Sequence, residues 1–141
     1  MGKEIKTAVV TWKGTELDFH AELGSGYAFD TTARAGAEMG GGPMEFLLAG
    51  VAGCTAIDVV STLRKMRQPL TGLRVEISGE RAPDYPMVYT HVTITYVIQG
   101  ADVEAKAVER AISLSKETYC SASVMFERAG ATMETSYRIE S

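Results

Sequence analysis

The apolar positions near the N-terminus follow the two-residue period of β-strands. Residues 7–12 are rich in β-branched and aromatic side chains, a Lys13-Gly14 turn follows, and residues 16–20 alternate polar with apolar positions. This pattern predicts a hairpin, with a third short strand at residues 27–30. Residues 31–42 are rich in glycine, alanine and threonine, and we expect them to form a loop.

The longest apolar segment predicts a helix from Pro43 to Met66. Proline suits the first helical position, and Glu45 in the first turn suits the positive end of the helix dipole. Apolar side chains cover nearly every face of the first two-thirds of the segment, which is typical of a helix buried on all sides. We therefore expect this helix to run through the centre of the molecule.

The second half of the chain returns to strand patterns before its helices. Residues 73–80 alternate and residues 88–98 are strongly β-prone, so we expect two antiparallel strands. An amphipathic helix from Asp102 to about Thr118, a short helix at residues 120–127 and a strand at residues 132–139 follow. The order β-β-β-α-β-β-α-α-β does not alternate single strands with helices. It favours an α+β fold with antiparallel pairing.

Length and charge narrow the class of protein. The 141 residues, 45% of them apolar, suit a single domain over residues 1–141. The net charge of -4 and the lack of a basic stripe disfavour a nucleic-acid binder. The sequence shows neither a signal-peptide pattern nor a convincing membrane span, so we expect a cytoplasmic protein. Because one central helix and six strands would leave apolar surface uncovered in a monomer, we predict an intertwined homodimer.

Two cysteines, Cys54 and Cys120, are the first candidates for chemistry. In a reducing cytoplasm such a pair is inert, metal-binding or redox-active. A tetrahedral zinc site would have to recruit both His20 and His91, and no short spacing of cysteine or histidine ligands is present, so the sequence predicts neither a metal site nor a cofactor. A reactive thiolate also needs nearby positive charge. The candidates near Cys54 are Lys13, Arg34, Arg64, Lys116 and Arg128.

The surroundings of Cys54 leave two interpretations open. Gly50 and Gly53 cost about 0.8 to 1 kcal/mol each inside a helix, so either another helix packs closely there or a pocket leads to the sulfur. Asp58, four residues later on the same face, is interpreted as an ion-paired residue at the dimer contact. Cys120 lies at a junction of two helices, where a helix N-terminus would favour its thiolate.

A specific resemblance connects these features. Residues 42–54, with the sequence GPMEFLLAGVAGC, followed by Cys120, resemble the OsmC/Ohr family of thiol peroxidases. The similarity extends from about Thr7 to the end, and residues 53–61 and 119–121 look most like the YhfA-like branch of OsmC-like proteins. It implies an obligate homodimer in which sheets from both chains wrap the two central helices, with a site at the subunit interface.

The resemblance also implies a reaction and its partners. Cys54 would be the peroxidatic cysteine, which becomes a sulfenic acid, and Cys120 the resolving cysteine, which condenses with it to a disulfide. The substrate would be an organic hydroperoxide, an external dithiol would be the reductant, and the role would be oxidative stress defence. An apolar pocket that includes Met44, Phe46, Leu47 and Met125 would favour an alkyl group.

The chain departs from organic hydroperoxide resistance proteins at the residues that activate the thiol. Those proteins carry a glutamate ten positions before the first cysteine, where this chain has Met44, and Glu45 is rotated from that position by about 100°. Their arginine comes from the first hairpin turn, where this chain offers Lys13, with Arg34 as another candidate. Glu45, Lys13 and Arg34 are therefore candidate site residues.

Two alternatives to a peroxidase remain. A non-catalytic protein on the same fold would bind an apolar or electrophilic small molecule at the dimer interface, which the loss of the family glutamate at Met44 would permit. A cysteine hydrolase would use His20 or His91 as its base.

Overall fold

The computed structural model describes residues 2–33 and 40–141. They form two compact units, one up to Leu47 and one from Leu48 onward. The first unit holds a three-stranded antiparallel sheet in the order β1, β2, β3. Its strands are β1 (Ala8–Trp12), β2 (Asp18–Leu23) and β3 (Ala28–Thr32). The predicted hairpin and third strand are confirmed.

The third strand is longer than expected. The prediction ended it at residue 30 and began a loop at residue 31, but Thr31 and Thr32 continue β3 and pair with Phe19 and Asp18 of β2. Both threonines are β-branched, which suits a strand. The Thr32 hydroxyl also donates a 2.6 Å hydrogen bond to Asp18. Arg34, in the predicted loop, lies outside the described residues.

The long helix α1 (Pro43–Lys65) begins at the predicted proline and belongs mostly to the second unit. The later elements are β4 (Gly72–Arg81), β5 (Tyr89–Gln99), α2 (Ala105–Leu114), a π-helical turn (Ser115–Tyr119), α3 (Ser121–Arg128) and β6 (Thr132–Glu140). The predicted order of strands and helices is confirmed. The π-helical turn divides what the periodicity predicted as one helix to about Thr118.

The second sheet corrects the expectation of purely antiparallel pairing. Its order is β4, β5, β6, with β4 antiparallel and β6 parallel to the central β5. A parallel neighbour requires a crossover connection, which α2, the π-helical turn and α3 together provide. The fold is a mixed α+β arrangement with two sheets and three helices.

The core of the second unit is built by three elements that place their buried faces together. Helix α1 contributes Val51, Val59 and Leu63. The other main contributors are Val92, Ile94, Tyr96 and Ile98 from β5, with Ala107, Val108, Ala111 and Ile112 from α2. Fully burying aliphatic side chains of this kind contributes about 1.5 to 3 kcal/mol each.

Within the described residues, helix α1 is buried along one face, whereas the sequence predicted burial on all sides. Its buried residues recur every four positions at Val51, Thr55, Val59 and Leu63, and Ile57 between them is 71% exposed. The helix is long and apolar enough to pass a length and hydropathy test for a membrane span, with a mean hydropathy of 1.8. Its buried residues Val51, Val59 and Leu63 belong to the hydrophobic core of the second unit, which is the position of a core helix.

Candidate active site

The two cysteines lie side by side in the second unit, together with Asp58. The sulfur atoms of Cys54 and Cys120 and a carboxylate oxygen of Asp58 all lie within 4.8 Å of one another. The distance between the two sulfurs is therefore at most 4.8 Å. Cys54 and Asp58 are one helical turn apart on α1, which puts both side chains on one face. Cys120 comes from the start of α3, 66 positions along the chain, so only the tertiary fold assembles the site.

A chain of three hydrogen-bonded hydroxyl groups ends at the carboxylate of Asp58. Ser115 Oγ donates to Asp58 Oδ2 at 2.9 Å, and Thr55 Oγ1 lies 2.8 Å from Ser115 Oγ and 2.6 Å from the Tyr96 hydroxyl. A serine hydroxyl has one proton to give, so Thr55 must donate to Ser115 and Tyr96 to Thr55. Burial raises the pKa of Tyr96, which keeps this phenol protonated as the first donor. All three protons therefore point towards the Asp58 carboxylate.

The π-helical turn places two members of the site. Ser115, its first residue, is fully buried, and the backbone carbonyl of Ser115 accepts a 2.7 Å hydrogen bond from the Cys120 backbone N–H. The turn ends where Cys120 becomes the N-cap of α3. Single π-helical turns of this kind are frequent at functional sites because they redirect the side chains that follow them.

The electrostatics of Cys120 differ in part from expectation. As predicted, its sulfur is at a helix N-terminus and accepts a 3.4 Å hydrogen bond from the Ser123 backbone N–H. However, burial raises the pKa of the Cys120 thiol, and its contact with Cys54 adds to the rise, while the hydrogen bonds from Ser123 oppose it without cancelling it. Cys120 is only 1% exposed, and loss of hydration outweighs the helix N-terminus.

We therefore expect Cys120 to be alkylated slowly at neutral pH, with a rate that rises with pH until the pH passes a midpoint higher than that of the thiol in the unfolded chain. The thiolate is the reactive form, and a raised pKa keeps it scarce. The measurement is iodoacetamide labelling of folded Cys54→Ser from about pH 7 to about pH 10, with the same protein unfolded in urea as the control. Restricted access would slow labelling at every pH without moving the midpoint. A folded midpoint at or below the unfolded one would contradict the prediction.

Two further predicted site residues have partners in the first unit. Glu45 accepts a 2.8 Å hydrogen bond from the Gly42 backbone N–H, which caps the start of α1. Lys13 forms a 2.8 Å ion pair with Asp30, and hydrogen bonds from Lys13 and His20 lower the pKa of Asp30. Any role of Glu45 or Lys13 towards the thiol, like that of Arg34, stays a prediction.

Both histidines contact carboxylates. His20 Nδ1 lies 2.9 Å from Asp30 Oδ1, and His91 Nε2 lies 2.8 Å from Glu134 Oε2. In each case the contact joins neighbouring strands of one sheet, β2 with β3 and β5 with β6. These contacts favour a structural role for the imidazoles over the base of a cysteine hydrolase.

The side of α1 that carries Gly50 and Gly53 is open within the described part of the chain. Apart from the adjacent residues and the backbone of its own helical turns, a Cβ built on Gly50 or on Gly53 would meet no atom of residues 2–33 and 40–141 within 4 Å. Nearby, a groove of about 770 Å³ runs beside α1. Its lining includes Ala56, Ile57, Val60, Arg64 and Leu73. The close packing that the two glycines predict therefore does not come from the described part of this chain.

Sequence reasoning missed the residues that support the thiols. The sequence places Asp58 on the same helix face as Cys54 but predicts an ion pair at the dimer contact for it, whereas in the structure its carboxylate accepts a hydrogen bond from Ser115. Thr55 and Ser115 are short polar residues in apolar helical segments, a pattern that signals a buried hydrogen bond. No local signal pairs them with Tyr96, because 41 and 60 residues separate Thr55 from Tyr96 and from Ser115.

Comparisons with known proteins agree on one family. The family model for "OsmC-like protein" matches residues 36–136. Protein YhfA of Escherichia coli is 38% identical over 113 residues, which cover 80% of this chain and 84% of the relative.

Solved structures share the fold. The crystal structure of a hypothetical protein from Aquifex aeolicus aligns with a TM-score of 0.85 at 28% identity, and covers 98% of each chain. An organic hydroperoxide resistance protein OsmC from Legionella pneumophila aligns with a TM-score of 0.71 at 15% identity, over 97% of this chain and 98% of its own. The second similarity, at low identity, establishes the fold alone.

Proposed function

Because this chain belongs to the OsmC-like protein family, we propose that it is a thiol-dependent peroxidase that reduces organic hydroperoxides, with Cys54 as peroxidatic and Cys120 as resolving cysteine. The observation that carries the proposal is the approach of the two sulfurs to within 4.8 Å, beside a carboxylate that accepts a hydrogen bond from Ser115 at the end of a chain of three hydroxyl groups. A disulfide needs a sulfur separation of about 2.0 Å, and side-chain rotation covers much of the difference.

The first step oxidises Cys54. Its thiolate attacks the terminal OH oxygen of the hydroperoxide, the O–O bond breaks, and the alkoxide takes a proton and leaves as an alcohol. Cys54 is then a sulfenic acid. The half-buried Cys54 suits this role better than Cys120, because a peroxide can reach it from solvent.

The second step joins the two cysteines. The Cys120 sulfur attacks the sulfenic sulfur, the S–O bond breaks, and the hydroxide leaves as water after it gains the Cys120 proton. An external dithiol then returns both cysteines to thiols by exchange. The Asp58 carboxylate lies beside both sulfurs and is placed to take the proton of one thiol and pass it to the departing oxygen.

Assembly and location are part of the same proposal. We expect two copies to pack through the side of α1 that carries Gly50, Gly53 and Ile57. In the described part of one chain, no other element packs against the two glycines, and Ile57 is 71% exposed. Strand β1 also exposes apolar side chains, Val9, Val10 and Trp12 among them. We further propose one family domain over residues 1–141, a cytoplasmic location and a role in oxidative stress defence.

The experiment that tests the reaction is a count of free thiols by intact mass spectrometry before and after one equivalent of cumene hydroperoxide. We expect both thiols to be lost as an intrachain Cys54–Cys120 disulfide. Hydrogen peroxide is the comparison substrate and should react more slowly if the site prefers an alkyl group. Two untouched thiols would contradict the proposal and favour a binding protein on this fold, which native mass spectrometry would reveal by a retained small molecule.

A further inference from the structure

Three potential metal ligands converge where the sequence predicted none. The sulfurs of Cys54 and Cys120 and a carboxylate oxygen of Asp58 all lie within 4.8 Å of one another. Two thiolates and one carboxylate are a donor set for zinc and for other divalent ions that prefer sulfur. In the structure the third donor is the carboxylate of Asp58 and not an imidazole of His20 or His91.

We propose that reduced Cys54, Asp58 and Cys120 form a binding site for one Zn²⁺ or Cd²⁺ ion, with a fourth coordination position left to water. Binding would displace the two thiol protons to solvent, since only thiolates are ligands. Two thiolates, one carboxylate and one divalent ion then leave a single net negative charge in the half-buried site.

The groups around these three side chains suit metal ligands. Ser115 Oγ donates to Asp58 Oδ2 at 2.9 Å, which fixes the carboxylate and leaves its other oxygen to coordinate. The Ser123 backbone N–H points at Cys120 Sγ from 3.4 Å, a contact that favours a thiolate. Outer hydrogen bonds of this kind orient the ligands of known metal sites. Cys54 is partly exposed, which gives an ion a path to the site.

Metal binding and disulfide formation exclude each other here. Both require the same two sulfurs, and a disulfide sulfur carries no negative charge to offer a cation. Zn²⁺ should therefore suppress the consumption of hydroperoxide, and oxidation of the two cysteines should release the ion. The site itself does not depend on peroxidase activity, because binding is measured on the reduced protein without peroxide.

The test is a titration of the full-length reduced protein with Cd²⁺ under anaerobic conditions, followed by the ultraviolet charge-transfer band of thiolate-bound cadmium. Competition with a chromophoric chelator gives the affinity for Zn²⁺. We expect one ion to bind per chain, with a band intensity that corresponds to two thiolate ligands. Cys54→Ser and Cys120→Ser should each lose about half of the band. Asp58→Asn should keep the band and weaken binding roughly 10- to 100-fold.

Two controls keep the outcome decisive. Asp102→Asn removes an exposed carboxylate before α2 and should leave the affinity unchanged, and circular dichroism reports whether each variant is folded. Protein oxidised beforehand to the disulfide should bind no ion at this site. The proposal is overturned if the folded reduced protein gives no band, if the oxidised protein binds equally well, or if Asp58→Asn binds as tightly as the parent. Binding without peroxidase activity would leave the metal site standing and reject the proposed function alone.

Discussion

Replacement of Cys54 by serine is expected to lower the steady-state consumption of cumene hydroperoxide by roughly 10³-fold or more, the size of loss seen when a catalytic nucleophile is removed. A serine hydroxyl in this position is similar in size but remains protonated at neutral pH, so it cannot attack the O–O bond. Cys120 cannot take over, because it is 1% exposed and burial raises the pKa of its thiol. The measurement is peroxide loss with a dithiol reductant in excess.

Cys120→Ser is the matched control for this loss. It removes the second sulfur and leaves Cys54 with Asp58, so one equivalent of peroxide should still be consumed rapidly. The product should be a sulfenic acid on Cys54, which dimedone traps and mass spectrometry locates. Unchanged turnover in Cys54→Ser would disprove the assigned role of Cys54. Equal single-turnover consumption by both variants would show that either sulfur can react first.

The sequence predicted the elements well because each carries its own local pattern. Pro43 marks the start of α1, and the alternation of residues 73–80 marks β4. The parallel pairing of β6 with β5 could not be predicted, because strand direction depends on how the helices between them cross the sheet. The end of α2 at Leu114 was also missed, since the residues of the π-helical turn, Ser115–Tyr119, include no glycine or proline that would mark the end of a helix.

The sequence predicted the two cysteines of the site but not the hydrogen-bonded residues around them. Cys54 and Cys120 stood out as a pair because of the family resemblance, and the structure brings them together. The hydroxyl chain through Thr55, Ser115 and Tyr96 joins three separate elements, and its members have no distinctive spacing in the sequence. The spacing of four residues on α1 puts Asp58 beside Cys54, whereas its hydrogen bond to Ser115 and its approach to Cys120 follow from tertiary packing.

The exposed side of α1 carries two glycines whose cost to the helix a contact with a second copy of the chain would explain. Two glycines inside a helix cost about 0.8 to 1 kcal/mol each relative to alanine, and within the described residues nothing approaches either of them closely. Ile57, one turn after Gly53, is 71% exposed. Small residues let helix backbones approach, so this side of α1 suits a helix–helix contact between subunits.

We therefore expect Gly53→Leu to convert a dimer into monomers of 15.2 kDa and to raise the dimer dissociation constant about 100-fold or more. In the single chain the new side chain enters open space and leucine is the better helix former, so the isolated subunit should fold at least as well as the parent. In a dimer both copies carry the added volume, and overpacking costs about 1 to 3 kcal/mol for each. Sedimentation velocity over a range of concentrations measures the change, with Ala105→Leu at an exposed position of α2 as the control. A Gly53→Leu protein that stays dimeric would place the subunit contact elsewhere, and a parent that is monomeric at every concentration would reject the predicted assembly.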